Sequence, residues 1–221
     1  MNVFRAILWK DLLTEWRRRE RVLSMLVFTL LLVVIFHFAL PGGAGPANRA
    51  AAPGLLWAAT LFASILGLGR SLSPELENDA LSGLALVPGD RGYVLLGKAT
   101  ATWLILLAVE GVLAGLFLAL FEISIGARAG ALLAVLGLGT GGIASIGTLL
   151  ASLSSRSRFG EVLLPLLLFP LLVPILIAAA DATAAILAGD PPSSGSVRLL
   201  VVIDVVYLVV SFVSFEYVLE E

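Results

Sequence analysis

A chain of 221 residues that is 59% hydrophobic and only 14% charged, with a mean hydropathy of +1.05, is far poorer in charge than a soluble domain, where about 25% is usual. The net charge of -2 says little by itself, and the placement of positive charge along the chain says more. The chain has no cysteine, which excludes disulfides, thiolate metal ligands and any thioether link to a cofactor.

Residues 2–20 carry Val3, Phe4, Ile7, Leu8, Leu12 and Leu13 at helical spacing, flanked by Trp9 and Trp16 and interrupted by Arg5, Lys10 and Arg17. That pattern predicts an amphipathic helix in the membrane interface, an interfacial segment 1–21, with a break in the polar cluster Arg17 to Arg21. No charge follows until Arg49, so residues 22–40 form a first span anchored by arginines. The basic start lacks the small-residue cleavage site of a signal peptide, which predicts that this span is retained. Residues 41–53, rich in Gly, Pro and Ala, read as a loop, and residues 54–69 as a short second span.

Residues 70–98 form the longest polar stretch, with Arg70, Glu75, Glu77, Asp79, Asp90, Arg91 and Lys98. Leu76, Leu81, Leu84 and Leu86 lie between them, which predicts a short helix with one apolar side over 74–88, ended by Pro88-Gly89. The third span is read at 99–121 with Glu110 near its middle, a turn at 122–128, and the fourth span at 129–151. The fifth, 162–180, is interrupted by Pro165, Pro170 and Pro174. Residues 181–196 read as a polar tail with room for a short helix, closed by Asp190-Pro191-Pro192, and the sixth span as 197–218. Six spans with short loops fill the chain and predict one membrane domain with no soluble one.

The positive charges test that topology. With the N-terminus inside, eleven Lys and Arg fall on inner segments, and only Arg49, Arg128 and Arg198 fall outside. The asymmetry predicts both termini in the cytoplasm.

Such a protein could be a transporter, a channel, a membrane enzyme or a scaffold. The sequence has no Walker motif and so no P-loop route to ATP hydrolysis. A membrane enzyme would need Asp, His or Lys clustered near one face, and no such cluster is visible. His37, the one histidine, reads as a polar side chain near the outer interface in preference to a metal or heme ligand, which would need partners. Glu110 has two readings, a gate or substrate contact and a helix–helix hydrogen bond, because a carboxylate at that depth must face protein or water. Asp204 and Glu216 read as interfacial. Gly137, Gly139, Gly141, Gly142, Ser145 and Gly147 give the fourth span a smooth face that suits either static close packing or a moving, gating element. Pro165, Pro170 and Pro174 predict bends.

The acidic run Pro74-Glu75-Leu76-Glu77-Asn78-Asp79 through Leu84, followed by Leu84-Ala85-Leu86-Val87-Pro88 and then Gly97-Lys98, resembles the membrane subunits of ATP-binding-cassette exporters of the ABC-2 type. The late run Leu163-Leu164-Pro165-Leu166 to Phe169-Pro170 and on to Pro174-Ile175-Leu176-Ile177 narrows the likeness to the heme exporter protein B (CcmB) family of cytochrome c maturation. It departs from the family pattern at Ala80-Leu81-Ser82-Gly83, which lowers the charge after Asp79.

The resemblance implies an all-α integral membrane fold of six transmembrane helices plus the interfacial helix and a cytoplasmic coupling helix. It also implies a permease in the bacterial inner membrane, with no enzymatic activity of its own. Two copies would pair with two copies of a separate CcmA-like ATPase that binds ATP and Mg. Glu75, Glu77, Asp79, Leu81 and Leu84 would lie on the coupling helix against that ATPase. The N-terminal helix would clasp the bundle, and spans two and five would line the dimer interface. Further partners would be a CcmC-like heme-handling membrane subunit, a small CcmD-like membrane subunit and a CcmE-like periplasmic heme chaperone. Membrane lipid is expected around the chain, and nucleic acid is not expected. Heme would be a transported or complex-bound ligand, with no cofactor resident in this chain and no metal site. The gating candidates within the membrane are Glu110, Gly139, Gly141, Gly142, Pro165, Pro170 and Pro174. A permease for a lipid, drug or polysaccharide, and a scaffold without transport, are the competing readings.

Overall fold

The computed structural model describes residues 3–40, 45–70, 92–155 and 159–220. Among them are α1 (Val3–Arg18), α2 (Glu20–Ala39), α3 (Pro46–Gly69), α4 (Gly92–Leu120), α5 (Ala129–Ser154), α6 (Gly160–Ala188) and α7 (Ser194–Glu220). There is no strand among the described residues. Helices α2 to α7 are each long and apolar enough to cross a bilayer. The shortest, α2, has 20 residues, which at about 1.5 Å per residue matches a hydrocarbon core of about 30 Å. The protein is an all-α membrane protein with six spans and an N-terminal helix.

Several helices outrun the spans expected from hydropathy. In lipid a backbone N–H or C=O finds no water, so the chain stays helical until a residue ends the ladder. Helix α3 begins at Pro46, eight residues before the expected start, and carries Pro53 inside it. A proline at the first helical position has no N–H to lose, so it suits that start. Helix α4 begins at Gly92, so Lys98, expected just before the span, lies within the helix. Helix α5 runs on to Ser154.

Residues 181–188 of the polar tail expected after residue 180 are instead the last two turns of α6. These end at Gly189, whose φ of 109° is left-handed. The amides of Gly189 and Asp190 both return to the Ala185 carbonyl, and Gly189 also reaches Ile186, the hydrogen-bonded stop of a Schellman-type cap. Ser193 then accepts from the Ser196 amide at 3.1 Å and starts α7 early as an N-cap. Helix α6 stays continuous through Pro165, Pro170 and Pro174.

Between α1 and α2 the break falls at Arg19, which has a φ of 53°. Glu15 stitches this elbow by accepting from the Val22 amide at 3.3 Å and pairing with Arg21 at 3.4 Å. Arg19 lies over the Trp16 ring, 5.1 Å from its centroid.

The spans alternate in direction. At the end that carries α1, Arg70 donates to the Ser24 hydroxyl at 3.0 Å. At the far end, Arg49 donates to the Phe121 carbonyl at 3.1 Å, and Arg128 to the Ile186 carbonyl at 2.9 Å. Helices α3 and α5 are the most enclosed, and α2 and α7 the least. Helix α5 is the hub, packed against α3, α4, α6 and α7.

Candidate functional site

The small side chains of α5 decide which groups meet at mid-depth. A Cβ at Gly139 would overlap the ring of Trp57 from α3. One at Gly142 would overlap Asp204 from α7 and lie 2.7 Å from Ile175 of α6, and one at Gly147 would overlap Leu68 of α3. Gly141 faces Asp204 and the Trp103 indole of α4. Four helices therefore reach the α5 backbone through gaps that glycine leaves, close packing of the kind membrane bundles use in place of a hydrophobic driving force.

Polar links tie this layer together. Trp57, 1% exposed, donates its indole N–H to the Thr183 hydroxyl of α6 at 3.0 Å. Trp103 donates to the Gly137 carbonyl at 2.9 Å. From α7, Tyr207 donates to the Leu171 carbonyl at 2.6 Å, and Ser211 to the Ser145 carbonyl at 3.1 Å.

Glu110 is 2% exposed. Its Oε1 accepts from the Thr60 hydroxyl of α3 at 3.2 Å, while Oε2 is buried with no hydrogen-bond partner among the described residues. The contact is a helix–helix hydrogen bond between α3 and α4.

Asp204 is not interfacial. It lies ten residues into α7, about 15 Å along the axis and near the midplane of the core, with Oδ1 buried against Gly142. The structure brings Gly139, Gly141 and Gly142 together with Trp57, Trp103 and Asp204 and leaves Glu110 on a separate α3–α4 contact.

The prolines of α6 sit apart from this cluster. Pro170 is exposed and Pro165 and Pro174 half-buried, beside an outward stripe of Val162, Leu166, Phe169, Val173 and Ile177. His37 packs edge-on to Phe38 and Phe121, with centroids 5.4 and 5.8 Å away. Among the described residues no group of three or more His, Asp or Glu is spaced to hold a metal. A cavity between α3, α4, α5 and α6, lined by Leu56, Phe117, Leu132 and Thr183 among others, measures about 10 Å³, room for about one water.

A second locus lies at the start of α4. Ile7 of α1 packs on Gly97, where a Cβ would stand 2.9 Å from the Ile7 Cβ and 3.1 Å from the Phe4 carbonyl oxygen. Lys98, 4% exposed, pairs with Asp11 of α1 at 3.4 Å. On another side, a Cβ at Gly92 would overlap Phe212 of α7, and Tyr93 meets the same ring edge-on. The expected coupling residues Glu75, Glu77, Asp79, Leu81 and Leu84 lie outside the described residues, as does the Glu216 side chain.

The intramembrane tryptophans and the Lys98–Asp11 pair were not singled out from sequence. The signal available was a Trp amid apolar residues, whose indole N–H must find an acceptor when buried, and a lysine beside a glycine at the head of a span.

A family model described as CcmB protein matches residues 2–220. Heme exporter protein B of Pseudomonas aeruginosa is 31% identical over 195 residues, covering 87% of this chain and 85% of that protein. The proteins of the same name from Haemophilus influenzae and Paracoccus denitrificans are 31% and 32% identical, covering 90% and 88% of this chain and 88% of each relative. With six spans and a family match from end to end, the chain belongs to the CcmB family.

Proposed function

We propose that this chain is the permease subunit of a heme exporter in cytochrome c maturation, driven by a separate ATPase. The observation that carries this reading is the family match over residues 2–220. The sequence lacks a P-loop, which supports placing ATP and Mg on a CcmA-like partner. The permease contributes coupled motion and no covalent chemistry. ATP-driven closure of the ATPase pair pushes on residues 75–84, and the motion passes into α4, the next described element. The bundle rearranges to export heme or to release the heme-loaded CcmE-like chaperone, with CcmC-like and CcmD-like subunits alongside. Two permease copies pair through the second and fifth spans, and the outward apolar stripe of α6 supports the part of the fifth. The 11-to-3 placement of Lys and Arg supports an inner-membrane orientation with both termini cytoplasmic.

The test is a mild-detergent pull-down of the tagged chain from its native membrane, with partners identified by mass spectrometry. Recovery of an ATP-binding subunit with heme-handling membrane proteins is the expected result. An intact preparation with no ATPase overturns the reading in favour of a scaffold, and an ATPase accompanied only by subunits of another export system overturns the heme assignment.

A further inference from the structure

The first two turns of α4 hold α1 more firmly than its covalent neighbour does, since α1 packs extensively on α4 and only slightly on α2. Two contacts define this grip. The α1 backbone closes on Gly97 through Ile7 and the Phe4 carbonyl. One turn further along α1, Lys98 reaches Asp11 at 3.4 Å, while Asp11 also meets Lys10 at 3.0 Å.

A lysine two turns into a membrane helix ordinarily extends its stem and places its ammonium in the headgroups. Lys98 is instead turned into protein, its side chain 5% exposed against 18% for Asp11. Burying that charge costs solvation that an apolar contact at the same place would not, and buried ion pairs are best attested as devices that set register. The pair also sits where force would enter, because α4 begins immediately after residues 71–91 and its Gly92 and Tyr93 bear on Phe212 of α7.

We propose that Lys98 is a positioning residue whose buried ion pair with Asp11 locks α1 to α4 in one register, so that a push on the segment before α4 moves both helices as one body. The inference rests on the functional reading above, in which that segment receives the ATPase stroke. Without the pair, α1 slips on α4, and ATP hydrolysis continues without productive output.

The experiment uses the full chain co-expressed with its ATPase. Because the sequence has no cysteine, spin labels can be placed cleanly at Trp9→Cys and Tyr93→Cys, both exposed positions on α1 and α4. The inter-label distance is measured in the unaltered background and in Lys98→Met, Asp11→Asn and the exchanged pair Asp11→Lys/Lys98→Asp. Cytochrome c yield and ATPase rate are measured on the same variants without labels.

Lys98→Met and Asp11→Asn are expected to broaden the distance distribution and cut cytochrome c yield at least about tenfold, since each removes the ion pair that joins α1 to α4. Membrane level, ATPase recovery and ATPase rate stay within about twofold, well under the tenfold that 1.4 kcal/mol represents. The exchanged pair restores both the narrow distance and the yield. A merely structural lysine would move membrane level together with yield.

Full yield in Lys98→Met, or failure of the exchanged pair to recover at normal membrane level, overturns the proposal. A broadened distance with undiminished yield also overturns it, since the lock would then carry no stroke. If Lys98→Met is lost from the membrane, Asp11→Asn and the exchanged pair decide by the same criteria. Absence of any ATPase from the unaltered preparation sinks the functional reading itself, and the distance measurement separates that outcome from failure of the lock.

Discussion

Glu110 and Gly139 show how differently two mid-membrane residues are held. Among the described residues Glu110 has one side-chain link, from Thr60, and glutamine keeps the acceptor that this hydroxyl uses. Glu110→Gln is therefore expected to leave membrane level and melting temperature nearly unchanged, while Glu110→Leu removes the acceptor and costs about 1 kcal/mol, the usual worth of an interhelical hydrogen bond in lipid. Thermal unfolding in detergent checks this, and loss of the Glu110→Gln protein from the membrane would show that the carboxylate itself is structural. Gly139 has no such latitude, because any Cβ there meets the Trp57 ring, which is anchored on Thr183. Gly139→Leu is expected to destabilise the bundle by about 3 kcal/mol or more through overpacking. The same assay reads it, with Gly111→Leu as control because nothing lies within 4 Å of a Cβ there. The acid and the glycine stripe were visible in the sequence, but their partners on α3 were not, since contacts 50 residues apart leave no local periodicity.

At the scale of elements, the ends of α6 were the hardest part to read. The polar tail from Asp181, closed by Asp190-Pro191-Pro192, suggested that the span stops near residue 180, yet the helix continues to Ala188. Thr183 is buried against Trp57 and Asp181 accepts from the Ser196 hydroxyl, so these polar residues are satisfied by neighbouring helices and need no loop. What ends α6 is the left-handed Gly189, with Arg128 donating to the adjacent Ile186 carbonyl. Gly189→Ala is expected to cost about 1–2 kcal/mol, the penalty for an L side chain in that conformation. A fall in the melting temperature of the purified chain checks it, and an unchanged value would mean that the turn relaxes elsewhere. The prolines of α6 were expected to interrupt it, and the helix continues through all three.

For the whole molecule, the proposed orientation, with both termini on the cytoplasmic side, makes a direct prediction. A fluorescent-protein fusion at the C-terminus is expected to be bright and an alkaline phosphatase fusion at the same point inactive. The opposite pair of results would invert the topology. In the proposed coupling segment, Glu77→Lys combined with Asp79→Lys is expected to abolish ATPase recovery or cut cytochrome c yield at least about tenfold, since placing like charge at a docked interface costs several kcal/mol. Unchanged recovery and yield in the double variant would remove these residues from the interface.

What the sequence alone determined is what depends on composition and short-range order. Six apolar stretches, the asymmetry of Lys and Arg and the amphipathic start are set by the transfer of side chains and backbone into lipid, a property of each segment by itself. Only the tertiary structure decided that α5 is the hub, that Asp204 lies deep against Gly142 and not in the interface, and that α1 is pinned through Lys98 and Asp11 to a helix 87 residues away. In lipid, apolar faces do not distinguish one neighbour from another by hydrophobicity. Partners are chosen by close fit at small residues and by a few buried hydrogen bonds and charges, and those choices exist only once the helices are packed.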